Sequence, residues 1–222
     1  MFEFGHGLRP TFINIWKAKS VEEYKPDPYV ATILNCAMWV FYGLPIVHPD
    51  SLLVITINGT GFVIEVIYVT IFLLYSDWPK RRKIIIALFV EFLFLAIVVF
   101  VTLTFLHGTK QRSMLIGILC IIFNIVMYTA PLTVMRKVIT TKSVKYMPFF
   151  LSLANFANGV NWFIYALLPL DPYILIPNGL GTLSGLVQLI LYATYYRTTK
   201  WDEDTSDVKP SEVQLSGSAR NT

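Results

Sequence analysis

Charge is scarce in this chain. Only 14% of its 222 residues are Asp, Glu, Lys or Arg, against about 25% in a soluble domain, while 55% are hydrophobic. A soluble domain of this size has too much surface for its volume to hide so much apolar content. Disorder is excluded too, because disordered segments are poor in aromatic and branched apolar residues and 15% of this chain is aromatic. Cysteine is nearly absent: Cys36 and Cys120 both lie in apolar runs, so a disulfide framework is not expected. His6, His48 and His107 are solitary, and no His or Cys cluster has metal-ligand spacing. Nucleophile elbow and phosphate loop are missing as well. The sequence thus supports neither an enzyme, a metal nor a cofactor. The net charge of +4 comes from short Lys/Arg clusters rather than a basic stripe with interleaved aromatics, so nucleic acid is not a partner.

What the chain has in abundance is apolar runs of the ~20 residues that cross a ~30 Å hydrocarbon core as a helix. Six spans are expected, at residues 29–47, 51–75, 84–106, 114–135, 147–168 and 172–196. The first 20 residues read as the last turns of a further span. Loop charge alternates. Lys17, Lys19 and Lys25 precede the first full span, Lys80, Arg81, Arg82 and Lys83 follow the second, and Arg136, Lys137, Lys142 and Lys145 follow the fourth. The intervening loops carry only Lys110 and Arg112. The positive-inside rule puts the rich loops and the C-terminal tail in the cytosol. The tail from residue 198, rich in Ser, Thr, Asp and Glu, reads as disordered.

An internal repeat organises the spans. Lys19-Ser20-Val21 recurs as Lys142-Ser143-Val144, and Pro28 is answered by Pro148. Asn35-x-x-x-Trp39-x-x-Tyr42 recurs as Asn158-x-x-x-Trp162-x-x-Tyr165, and Asn58-Gly59-Thr60-Gly61 as Asn178-Gly179-Leu180-Gly181. The offset is about 120 residues. One span between the copies keeps them parallel, an arrangement used by transporters that bind substrate near the midplane. The expected fold is an all-α integral membrane protein with two parallel three-helix repeats and a linker helix (3+1+3), the first helix incomplete. Its parts are 1–82 (first repeat), 83–107 (linker), 108–197 (second repeat) and 198–222 (tail).

Asparagine in hydrocarbon is costly unless bonded. Asn35 and Trp39 share one helix face, as do Asn158 and Trp162. Asn58 and Asn178 form a second symmetric pair, and Asn124 lies seven residues before Pro131. Amides offer donors and acceptors to hydroxyls, and indoles cover apolar C–H surface, so these residues suit a neutral sugar. The alternative is that each Asn merely bonds a neighbouring helix, at about 0.6–2 kcal/mol; the duplication favours a site. Pro28, Pro131 and Pro148 each remove a helical hydrogen bond and leave a kink or hinge. Gly59, Gly61, Gly179, Gly181 and Gly185 allow close helix approach. Glu65 is a hydrogen-bonded structural acid, with proton coupling as the lesser alternative.

The chain resembles the SWEET sugar transporters from about Pro10 to Arg197. The residues that carry the resemblance are Leu34-Asn35-Cys36, Trp39-x-x-Tyr42-Gly43, Ile57-Asn58-Gly59-Thr60-Gly61, Ala130-Pro131-Leu132, Lys142-Ser143-Val144-x-Tyr146-Met147-Pro148-Phe149 and Pro177-Asn178-Gly179. It is most similar to plant members that carry hexoses. The resemblance implies sugar binding at Asn58 and Asn178, flanked by Trp39 and Trp162. It implies a gating ring from Pro28, Pro131 and Pro148, with Leu8 where a fourth proline is expected, and an outer gate closed by Tyr42 and Asp171. Met127, on the wall of Asn124, is bulkier than the branched residue of sucrose-type members, which implies a monosaccharide such as glucose or fructose.

The expected function is facilitative, bidirectional uniport by alternating access, without a cofactor. The expected setting is the plasma membrane, with the vacuole or another endomembrane as alternatives, and the partners are a small neutral sugar and membrane lipid. Homo- or hetero-oligomers with family members fit this reading. Competing readings are a non-transporting truncated pseudo-transporter or subunit, and a seven-helix receptor, which would not need the repeat.

Overall fold

A computed structural model of the chain describes Ile15, residues 19–21 and 24–199, and Trp201. The described residues form seven helices and no strand: α1 (Asp27–Gly43), α2 (Leu52–Tyr75), α3 (Trp78–Phe105), α4 (Thr109–Met127), α5 (Thr129–Thr141), α6 (Phe149–Leu167) and α7 (Pro172–Tyr195). The partial first span, Leu8 and nearly all of the tail lie outside the described residues. At the tail's start, Thr198 donates to the Lys142 carbonyl at 2.8 Å, and Thr199 accepts from the Val144 N–H at 2.9 Å. These two residues are therefore bonded to the loop after α5.

Helix ends follow local chemistry. α1 stops at Gly43, short of the expected 47, because Leu44 precedes Pro45 and is extended (φ −61°, ψ 140°). α3 starts at Trp78 rather than 84, with Pro79 in a first turn that needs no N–H. Arg81 Nη2 reaches back to the carbonyls of Leu74 (3.3 Å) and Ser76 (3.2 Å), capping the end of α2.

The fourth span, expected at 114–135, is a 33-residue helical stretch, Thr109–Thr141, interrupted at Tyr128. Pro131 has no N–H for the carbonyl of Met127, and its ring crowds that turn. This stretch, α2, α3 and α7 are the four helical segments, among the described residues, that are long and apolar enough to cross a membrane. α1 has only 17 residues, and α6 carries Asn155, Asn158 and Asn161 in its middle.

Pro28 and Pro148 do not act as Pro131 does. Pro28 stands in the first turn of α1 and Pro148 is the N-cap of α6, where a helix has no bond to lose. The expectation that each removes a helical hydrogen bond is corrected for these two. They share another feature: a hydroxyl four residues on returns to each carbonyl, Thr32 to Pro28 at 2.7 Å and Ser152 to Pro148 at 3.2 Å.

The chain divides into two compact units at Phe123/Asn124. In the first, α1 packs against α2 and α3. Tyr29 meets Tyr68 and Phe72 with ring centroids 6.0 and 5.3 Å apart, and Phe94 of α3 meets Phe123 of α4 edge-on at 5.6 Å. In the second, α7 packs against α6 and α5. A core of Met135, Val138, Val144 and Met147 lies against Leu191, Tyr192 and Tyr195. Phe89, Phe92 and Phe100 of α3 stay exposed, as a lipid-facing helix requires.

The internal contacts of the two units give the repeat two offsets rather than one. Asn35, Trp39 and Tyr42 precede Asn158, Trp162 and Tyr165 by 123 residues, whereas Asn58 precedes Asn178 by 120. Applied to α1/α6 and α2/α7 respectively, these offsets bring one contact of each unit into register, although Pro28 and Pro148 themselves stand 120 apart. Tyr29 on Tyr68 becomes Ser152 on Gln188, where Oγ lies 3.2 Å from Oε1. The difference is absorbed in the loops. Residues 44–51 join α1 to α2, against 168–171 between α6 and α7; Asp50 (φ 63°) and Leu170 (φ 53°) are matching left-handed residues before the N-caps Ser51 and Asp171, so the extra residues lie earlier in the loop.

Close approach belongs to some glycines only. A Cβ on Gly159 would come within 2.8 Å of the Thr182 backbone, and one on Gly185 within 2.8 Å of the Phe156 Cα. Gly59 has nothing within 4 Å, so the close-packing expectation is corrected there. Glu65 is buried, and its Oε2 has no hydrogen-bond partner among the described residues. It lies two turns from Phe72, on the face that meets α1, where the second copy has Gly185.

Candidate functional site

The two amides of the repeat make the same bond. Asn58 Nδ2 donates to the Val54 carbonyl at 2.9 Å, and Asn178 Nδ2 to the Ile174 carbonyl at 2.8 Å. A carbonyl can only accept, so the nitrogen must face it. Each amide thereby keeps two lone pairs on Oδ1 and one N–H for another partner. Both residues are half-buried.

The aromatic pairs also match. Trp39 and Tyr42 meet edge to face at 5.5 Å and 78°, Trp162 and Tyr165 at 5.5 Å and 89°. Their burial differs: Trp39 is buried, Trp162 only half. Asn35 is half-buried, and its Oδ1 is shut off from solvent without a hydrogen-bond partner among the described residues. Its repeat partner Asn158 is exposed.

In the second unit, Phe163 packs within 3.3 Å of where a Gly179 Cβ would stand. The adjoining residues Trp162 and Asn178 therefore lie at one level of the α6–α7 pair. Asn124 and Met127 stand in the last turn of α4, Asn124 half-buried and Met127 exposed. Pro131 follows in α5. Asp171 is buried and caps α7, accepting from the N–H groups of Tyr173 (2.9 Å) and Ile174 (3.4 Å). It thus has a structural task, beyond an ordinary loop acid. Tyr42 is fully buried in the first unit.

Tyr128 escapes a reading by motif. At the α4–α5 break its hydroxyl donates to the carbonyl of Pro177, one residue before Asn178, at 2.7 Å. Gly181 admits it, since a Cβ there would stand 2.6 Å from the hydroxyl. The available signals are its place three residues before Pro131 and the spacing Pro177-x-x-x-Gly181.

Known proteins match this chain over most of its length. The MtN3_slv family, described as sugar efflux transporter for intercellular exchange, matches at residues 1–80 and 114–200. The chain is 70% identical over 198 residues to the bidirectional sugar transporter SWEET5 of Arabidopsis thaliana, covering 89% of this chain and 82% of that one. It is 60% identical over 217 residues to SWEET4 of the same plant, covering 95% and 86%. A solved eukaryotic SWEET transporter aligns with a TM-score of 0.81 at 37% identity, covering 88% of this chain and 97% of that one. The chain belongs to the SWEET family of integral membrane sugar transporters.

Proposed function

We propose that this chain is a facilitative uniporter that carries a neutral monosaccharide, such as glucose or fructose, by alternating access. The observation that carries the reading is the matched amide pair. Asn58 and Asn178 each spend one N–H on their own helix and keep an acceptor oxygen for a sugar hydroxyl. Trp39 and Trp162 cover the apolar face of the ring, while Asn35, Asn158, Asn124 and Met127 complete the wall. No ionised side chain is needed for a neutral ligand, and none belongs to this set.

In this reading the copies 1–82 and 108–197 rock about the linker 83–107. Pro131 is the hinge, Pro28 and Pro148 set the entry of α1 and α6, and Tyr42 and Asp171 close the outer side. The plasma membrane is the site of action, with the tail in the cytosol. The relatives named bidirectional sugar transporters support this direction-neutral scheme.

Tracer uptake by proteoliposomes tests it. The chain is expected to equilibrate labelled glucose or fructose without an imposed ion gradient, and Asn178→Ala to lose most of that uptake. Uptake by Asn178→Ala equal to the parent's would overturn the site.

A further inference from the structure

The longer loop between α1 and α2 carries a ring, and that ring lies on Tyr42. The His48 imidazole and the Tyr42 phenol are stacked, centroids 4.7 Å apart and planes 18° from parallel. Trp39 meets Tyr42 edge-on, and Tyr42 is fully buried. The phenol therefore touches two other rings.

His48 is itself anchored. Its Nδ1 lies 3.0 Å from Ser113 Oγ, in the first turns of α4. The Ser113 hydroxyl donates to the Val47 carbonyl at 2.7 Å. Its one hydrogen is spent there, so it accepts from His48 Nδ1–H. The neighbouring Arg112 donates from Nη1 to the Ile46 carbonyl at 3.1 Å and from Nε to the Leu106 carbonyl at 3.0 Å. The start of α4 thus holds three consecutive residues of the loop, Ile46, Val47 and His48. In the other copy Tyr165 occupies the place of Tyr42, but the shorter loop 168–171 has no histidine or aromatic side chain to stack on it.

We propose that His48 is a positioning residue for transport: anchored by Ser113, it stacks on Tyr42 and fixes the ring that closes the outer side of the sugar path. The inference rests on the reading of Tyr42 as an outer gate. A loop that merely connected two helices would need neither a stacked ring nor side-chain bonds from a third helix. An imidazole here costs the closing tyrosine its freedom to swing when the outer side should be shut. Without it, the outward-closed state is reached less often and each cycle slows, while the amides that hold the sugar are untouched.

The test uses the full chain in proteoliposomes. Equilibrium exchange of labelled glucose reports cycling, quenching of tryptophan fluorescence by glucose reports binding, and amide hydrogen exchange over 41–48 reports the loop without sugar. His48→Ala is expected to lower maximal exchange at least fivefold with the dissociation constant within twofold, and to speed loop hydrogen exchange. His48→Phe, which stacks but cannot bond Ser113, is expected to recover at least half of the lost exchange. Ser113→Ala, which frees the ring from its anchor, should fall between His48→Ala and the parent.

Parental exchange in His48→Ala overturns the proposal. So does a His48→Phe protein as slow as His48→Ala, or a binding constant that shifts in step with the rate. If His48→Ala does not fold, the Phe and Ser113 variants decide the matter alone. A parent that exchanges no sugar would sink the transport reading. The hydrogen-exchange comparison would then still decide whether His48 fixes Tyr42.

Discussion

Tyr128 donates its hydroxyl to the carbonyl of Pro177 at 2.7 Å, through the gap left by the missing side chain of Gly181. The bond joins the α4–α5 break to the turn of α7 that carries Asn178. Tyr128→Phe keeps the ring and removes the bond, at an expected cost of about 1 kcal/mol. Gly181→Ala forces the hydroxyl away and loses the same bond. The double variant should therefore cost less than the sum of the single ones, as coupled neighbours do. Thermal unfolding of the four proteins in one detergent measures this. Strict additivity would mean that the bond contributes nothing.

The glycines separate into two groups. Gly159→Ala and Gly185→Ala push a methyl into backbone within 2.8 Å, and each should destabilise by about 1–3 kcal/mol. Gly59→Ala meets nothing within 4 Å and gains helix propensity of up to about 1 kcal/mol. Melting temperatures should rise or hold for Gly59→Ala and fall for the other two; the reverse order would contradict the packing of α6 on α7.

If Asn58 and Asn178 meet the sugar mainly through Oδ1, the hydroxyls they contact must donate. Fluorine in place of such a hydroxyl cannot donate, and one neutral hydrogen bond of about 1 kcal/mol corresponds to roughly fivefold in affinity. In a series of monofluoro-deoxyglucoses competing with labelled glucose, at least two ring positions should weaken competition to about that extent. Equal competition by every analogue would remove the amides from the site.

Arg81 holds the last turn of α2 through two carbonyls. Arg81→Ala should cost about 1 kcal/mol, and Arg81→Lys should recover only part, because both bonds come from the terminal Nη2 and the shorter lysine stem falls short of its position. Thermal unfolding of the two variants checks the order; a lysine as good as arginine would mean charge alone matters.

Much of the architecture was legible in the sequence because hydrocarbon imposes length. The run at 51–75 became Leu52–Tyr75, and that at 172–196 became Pro172–Tyr195. Where prolines or charges mark an end, apolar length misleads. Pro45 ended α1 early, and the basic cluster at 80–83 belongs inside α3. The asparagines were legible because they are duplicated and polar. The Tyr128–Pro177 bond was not, since a tyrosine in an apolar run looks like packing until its hydroxyl has a partner. Nor was the contact of His48 with Tyr42. It depends on a loop whose path is set by Arg112 and Ser113, over 60 residues away in the chain.

The unequal α1–α2 and α6–α7 loops bear on how a repeated chain stops being two equal halves. Identical copies are interchangeable, so a change that suits one position is as available to the other. Once the imidazole of His48 stands in the loop of one copy only, the halves are separately tunable. Mutations near Tyr42 and near Tyr165 can then be selected on different grounds. A reversed chimera, with residues 44–51 grafted between Leu167 and Pro172, would ask how far that specialisation has gone.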